Sequence, residues 1–219
     1  MTAPKKIVVL LDGEEPTAAQ LYKTIARSDL VIATDGAASY AKKHGISLNA
    51  IIGDMDSIDF DTREYFLSDN TLIIKNPDQA TNDFEKALLY LKDEYAGSSL
   101  TVLGIHGKRT DHLLVNFSVM LRYANVFFRI EALDSYHTHL FLTDKQKELT
   151  IERPKGTLVT LLAFLTTVGI TTTGLLYALK DAEMEFGKQE GLSNIISSDM
   201  GATVSIRSGS LLVSVAHEQ

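Results

Sequence analysis

The sequence contains no cysteine, which excludes disulfides and thiolate metal sites outright. Positive charge is in short supply: 21 Lys and Arg stand against 28 Asp and Glu, giving a net charge of −7 and a pI of about 5.3. That balance argues against a nucleic-acid partner held by general attraction to phosphates, while leaving room for a local basic pocket that takes one nucleotide. Long apolar runs are also missing. The longest, such as LVTLLAFL at 158–165, fall far short of a membrane span. The opening MTAPKKIVVLLDGEE has two lysines but only IVVLL before Asp12, too short an apolar region for a secretory signal. These absences lead to the expectation of a cytoplasmic protein with neither a membrane nor a nucleic-acid partner. What remains is ordinary globular material: 219 residues, 45 % hydrophobic and 22 % charged, enough for one large domain or two modest ones.

The order of local patterns divides the chain. Apolar runs at IVVLL (7–11), DLVIAT (29–34), AIIG (50–53), TLIIK (71–75) and SLTVLG (99–104) read as buried strands. Between them lie helical patterns: PTAAQLYKTIAR (16–27) with proline in its first turn, ASYAKKHG (38–45) closed by glycine, DTREYFL (61–67), and NDFEKALLYLKDEY (82–95). A further helix follows from about 110 to 124. Alternation with fully apolar strands predicts a mainly parallel α/β sheet covered on both faces. Near residue 133 the rhythm changes to short β-branched runs separated by Gly, Asp and Pro, such as TLVTLLAF and ATVSIRSGSLLVSV, which predict an antiparallel sheet or sandwich. The expected domains are therefore 1–133 and 134–219.

Acidic residues collect at the expected strand ends. Asp35 follows DLVIAT, Asp54 and Asp56 follow AIIG, and Asp83 lies beyond TLIIK. Ligands of open α/β sheets bind beyond the carboxyl ends of the strands. In extended backbone Asp54 and Asp56 would point the same way, and two carboxylates about 4 Å apart repel by roughly 4 kcal/mol at an effective dielectric near 20. Such a group calls for a cation or a protonated member, and Mg²⁺ suits it through oxygen ligation. The plainer alternative is one aspartate capping a turn and the other in solvent. A second stretch, GIHGKRTDHLLVN (104–116), follows a strand and opens a helix. Gly104 and Gly107 permit close backbone approach, Lys108 and Arg109 bring cations to a helix start, and a guanidinium forks onto phosphate oxygens. An N-terminal cap with incidental charges is the alternative there. His137 and His139, two apart in YHTHLF, read as ordinary strand surface.

These motifs together resemble the thiamine pyrophosphokinase family, which transfers diphosphate from ATP to thiamine. TDGAASYA (34–41) resembles its D-G-G segment, followed by GDMDSI (53–58). DQATNDFEKAL (78–88) resembles its acidic T-D-x-x-K-A-L helix start, and GKRTDH (107–112) its G-G-R-x-D-H turn. TTGLLYAL (172–179), EGLSN (190–194) and GSLLV (209–213) extend the likeness, which spans about residues 8 to 215. The resemblance implies a Rossmann-like α/β domain followed by a β-sandwich that binds thiamine and dimerises. It further implies Asp54, Asp56 and Asp83 as Mg²⁺ and diphosphate ligands, with Asp35 beside them, and Gln79 and Lys86 near the triphosphate of ATP. By the same likeness Arg109 binds phosphate and Asp111 lies near the thiamine hydroxyl. Ser193 and Asn194 match the segment that contacts the pyrimidine ring, and a homodimer is implied with sites between subunits. Departures are visible: Ala37 and Lys108 replace glycines of the family pattern, Asn82 replaces a threonine, and Ala80 stands where an acid is common. Three rivals stay open on residues alone: a glycosyltransferase with a D-x-D metal site, a metal-dependent phosphohydrolase, and a non-enzymatic thiamine or nucleotide sensor.

Overall fold

A computed structural model describes residues 3–217 and divides into two compact units, with the division between Ser135 and Tyr136. The first unit strings strands and helices in strict alternation: β1 (Lys6–Leu10), α1 (Ala18–Ile25), β2 (Leu30–Thr34), α2 (Ala38–Lys43), β3 (Ala50–Gly53), α3 (Phe60–Ser68), β4 (Leu72–Lys75), α4 (Asp83–Tyr95), β5 (Ser99–Leu103), α5 (Thr110–Tyr123) and β6 (Arg129–Leu133). All neighbouring strands are parallel, in the order β6-β5-β1-β2-β3-β4. Alternate strand residues face opposite ways. Val8, Leu10, Val31, Ala33 and Ile51 pack with Leu21 of α1, Tyr40 of α2 and Phe66 of α3 in one cluster. α4 buries Phe84, Ala87, Leu88 and Leu91, packs on β2 and β3, and lies beside α5.

Local chemistry sets the element ends, with two corrections to the sequence reading. Pro16 lies outside the first turn of α1: Thr17 is the cap, its hydroxyl accepting from the backbone N–H of Gln20 at 3.2 Å. β6 was not foreseen, because its alternating exposure mixes Arg129 and Glu131 into an otherwise apolar run. In the rest of this unit the reading holds to within a residue or two. α2 is closed beyond its cap His44 by Gly45, whose φ of 62° suits a residue without a side chain.

The second unit is all strand: β7 (His137–Leu142), β8 (Glu148–Ile151), β9 (Leu158–Ala163), β10 (Thr167–Thr173), β11 (Ala182–Met184), β12 (Gly191–Ile195), β13 (Ala202–Ser205) and β14 (Leu211–Ala216). Antiparallel pairing joins β12-β9-β14-β7 and, separately, β11-β10-β13-β8. One core of Leu140, Val159, Leu161, Leu211 and Val213 from the first set and Leu149, Ile151, Ile170, Met184 and Val204 from the second closes the sandwich. His139 is buried rather than on the strand surface, its Nδ1 2.7 Å from Ser214 Oγ on β14. Among the described residues, no helix is long and apolar enough to cross a membrane.

Candidate active site

The carboxyl end of β2 delivers Asp35 into a buried position, 2 % exposed. Its Oδ1 accepts from the backbone N–H of Gly36 at 2.8 Å and its Oδ2 from that of Met55 at 2.9 Å. Room for this carboxylate comes from Gly53 at the end of β3, where a Cβ would lie 2.5 Å from Asp35 Cγ. Burial, and then the charge of Asp83, raises the Asp35 carboxyl above the ordinary aspartate range.

After β3 the chain does not stay extended. Met55 takes φ 68°, a left-handed turn, and Asp54 Oδ1 accepts from the Asp56 N–H at 3.2 Å. The two aspartates therefore converge through a turn and not through strand alternation. Asp35, Asp54 and Asp56 each place an oxygen within 4.8 Å of the others. Three hard oxygen donors around a partly desolvated charge fit Mg²⁺, which takes carboxylate oxygens and keeps waters or phosphates for the rest of its shell. Asp54 is held below the ordinary range by the Asp56 N–H, and Gln79 Nε2 donates to its Oδ2 at 3.4 Å.

Asp83 opens α4 and accepts from Lys86 Nζ at 2.9 Å, and the same ammonium lies 3.8 Å from Asp54 Oδ2. Burial by itself pulls the Lys86 ammonium down, yet the bond to Asp83 and the charges of Asp54 and Asp35 hold it above the ordinary lysine range. Asp83 thus adjoins the three-carboxylate group through Lys86. α4 is capped by Asn82, whose Oδ1 accepts from the Glu85 N–H at 2.9 Å, so asparagine serves where the family pattern has threonine. The Asn82 amide also donates to Asn116 Oδ1 at 2.9 Å, tying α4 to α5. Ala37, the other replaced glycine, sits fully buried at φ −80°, a conformation open to any residue.

Arg109 precedes α5 and forks onto Asp111, Nε to Oδ1 at 3.0 Å and a terminal nitrogen to Oδ2 at 2.5 Å. That bond lowers the Asp111 carboxyl to about 2. In the second unit, Asn194 is buried and spends its amide on main chain: Oδ1 accepts from the N–H groups of Tyr177 and Ile195, and Nδ2 donates to the Tyr177 carbonyl at 2.8 Å. Ser193 beside it is exposed, at φ 53°, with its N–H on Thr160 Oγ1 at 3.0 Å. Sequence reasoning passed over Asp12, which pairs with Lys108 at 2.5 Å. Its signal is the one that marked Asp35 and Asp54, an acid directly after a strand.

Comparison with known proteins assigns the chain. A model described as the thiamin pyrophosphokinase catalytic domain matches residues 21–132, and one for the vitamin B1 binding domain of the same enzymes matches 141–211. The chain belongs to the thiamin pyrophosphokinase family. The rice protein thiamine pyrophosphokinase 1 (Oryza sativa subsp. japonica) is 32 % identical over 177 residues, 75 % of this chain and 64 % of its own length. The Arabidopsis thaliana protein of the same name is 28 % identical over 187 residues, 75 % of this chain and 68 % of its own length. The fold is shared with thiamin pyrophosphokinase from Candida albicans, at TM-score 0.88 and 17 % identity over 98 % of this chain and 90 % of the other. The Bacillus subtilis thiamine pyrophosphokinase structure agrees at TM-score 0.81 and 20 % identity, over 98 % and 100 % of the two chains. Asp35, Asp54, Asp56, Gln79, Asp83, Lys86, Arg109 and Asp111 all fall in the stretch matched by the family's catalytic domain, and Ser193 and Asn194 in that of its B1-binding domain.

Proposed function

We propose that this chain transfers the terminal diphosphate of ATP to the hydroxyl of thiamine, giving thiamine diphosphate and AMP. The observation that carries this reading is the convergence of Asp35, Asp54 and Asp56 in a chain whose halves match the catalytic and B1-binding domains of one family. The thiamine hydroxyl oxygen forms a bond to the β-phosphorus, the bond from that phosphorus to the α–β bridging oxygen breaks, and AMP leaves with the electron pair. Positioning and charge neutralisation carry most of such a transfer.

The proposed metal set is Asp54, Asp56 and Asp83, joined by the buried Asp35, which already places an oxygen within 4.8 Å of those of Asp54 and Asp56. Mg²⁺ bound there supplies charge neutralisation and a template for the phosphate oxygens. Lys86, drawn in by Asp83, adds positive charge within the acidic group, and Gln79 steadies Asp54. Arg109 forks onto phosphate. While paired with Arg109 the Asp111 carboxyl lies at about 2, and in that state it accepts a hydrogen bond from the hydroxyl and orients it. Once Arg109 turns to phosphate that pairing is released, and Asp111 takes the hydroxyl proton as the oxygen bonds to phosphorus. The Ser193–Asn194 segment receives the pyrimidine ring, with Asn194 acting by fixing the backbone at Tyr177.

A homodimer with sites shared between subunits, and a cytoplasmic location, belong to the same proposal. Exposed Leu176, Tyr177 and Leu192 on the second unit support an interface there. The test is incubation with ATP, Mg²⁺ and thiamine, followed by chromatography. Equal, thiamine-dependent amounts of AMP and thiamine diphosphate are expected. ADP or free phosphate in their place would overturn the reading in favour of a kinase of another type or a phosphohydrolase.

A further inference from the structure

The loops after β1 and β5 meet at the point where the sheet order turns back. The chain lays β2, β3 and β4 outward on one side of β1, then returns with β5 on the other. In open α/β sheets, ligands enter the crevice at this switch point. Here the two loops are already fastened by main chain: the Leu11 N–H donates to the Leu103 carbonyl at 2.9 Å and the Glu14 N–H to that of His106 at 2.7 Å. Gly13 approaches so closely that a Cβ on it would lie 2.1 Å from the Gly104 carbonyl oxygen.

Against that fastening, the ion pair of Lys108 Nζ with Asp12 Oδ1 at 2.5 Å is not needed to hold the loops together. Both side chains are well exposed, 62 % and 47 %, and exposed pairs contribute little to stability. The Asp12 side chain rests on Gly36, where a Cβ would come within 2.8 Å of its Cβ and Cγ. Gly36 adjoins Asp35, so the carboxylate that holds Lys108 packs on the residue next to the buried acid of the site. Lys108 replaces a glycine of the family pattern, and it has no left-handed backbone that would require one. Its cation is therefore a departure from that pattern.

We propose that Lys108 is a phosphate-binding cation that favours polyphosphate over monophosphate, and that Asp12 competes with the nucleotide for it. This rests on the function proposed above. Among the described residues a single carboxylate pairs with Lys108, as Asp111 alone pairs with Arg109. A polyphosphate brings several charges to the same place and takes the cation over. The experiment is calorimetric titration of the wild type, Lys108→Met and Asp12→Asn with Mg²⁺ and the α,β-methylene analogue of ATP, and with AMP. Lys108→Met is expected to weaken the analogue roughly tenfold and to leave AMP unchanged. Asp12→Asn is expected to tighten the analogue, and added salt should cost Lys108→Met less affinity than it costs the wild type. Thermal melts matching the wild type establish that both variants fold. Unchanged binding by Lys108→Met overturns the assignment, as does equal weakening by both variants, the mark of a merely structural pair. Failure of the wild type itself to bind the analogue is a different result, and it removes the proposed function along with this inference.

Discussion

Gly53 has no side chain, and Asp35 fills the space one would occupy, its Cγ 2.5 Å from where a Cβ would sit. An alanine there must push the buried carboxylate off its two backbone donors. Gly53→Ala is therefore expected to lower turnover roughly 100-fold, the scale of a misplacement of about 1 Å, and steady-state kinetics with ATP and thiamine would show it. Unchanged turnover would mean that Asp35 need not sit where it does. Asp35, Asp54 and Asp56 were legible, since they follow runs that read as strands, although Asp12 carries the same signal and was passed over. The turn at Met55 was not, because it is fixed by a donor to Asp35, a residue 20 positions away that no local pattern reports. A second residue-scale effect concerns acid. Asp59 caps α3, and the Thr62 hydroxyl and N–H hold its carboxyl below the ordinary range. A depressed folded value contributes stability above the unfolded value and loses it as pH falls through the folded one. Melts of wild type and Asp59→Ala should thus differ at neutral pH and draw together below the depressed value. A gap that stays constant with pH would assign the effect to the neutral hydrogen bonds alone.

At the scale of elements, the helices were readable from apolar spacing and caps, and β6 was not. Its polar residues at alternate positions look like loop until β5 supplies a partner, from Ser99↔Arg129 through Leu103↔Leu133. The links between helices were equally hidden. α4 carries Asp83 and Lys86 and α5 follows Arg109, and the two are joined by Asn82 to Asn116 and by Glu85 to Arg122 and Tyr123. Removing the Asn82 side chain loses the cap of α4 and leaves Asn116 Oδ1 without that donor in a buried setting. Asn82→Ala should cost about 2 kcal/mol in denaturant unfolding, with a fall in turnover because the start of α4 shifts. Asn82→Thr keeps the cap and should recover part of the stability. A cost no larger for alanine than for threonine would show that the cap contributes nothing.

The whole molecule is two compact units with separate cores and different chemistry. The antiparallel character of the second was legible from its β-branched runs, while the role of its matched polar residues was not: the Asn194 amide is occupied by main chain, which only the pairing of β12 with β9 and the Tyr177 segment reveals. If each proposed site takes its acids from one subunit and its thiamine contacts from the other, damage in the two units can be complemented. Asp56→Ala removes a metal-binding acid, and Ser193→Tyr fills the exposed ground beside Asn194. Each alone should be nearly inactive. Unfolded together and refolded as a mixture, half the dimers would be mixed, and each mixed dimer would hold one site with both defects and one with neither. Activity should return to about a quarter of the wild type. A site built within one subunit would place one defect in every site of every dimer, and the mixture would stay as inactive as its parts.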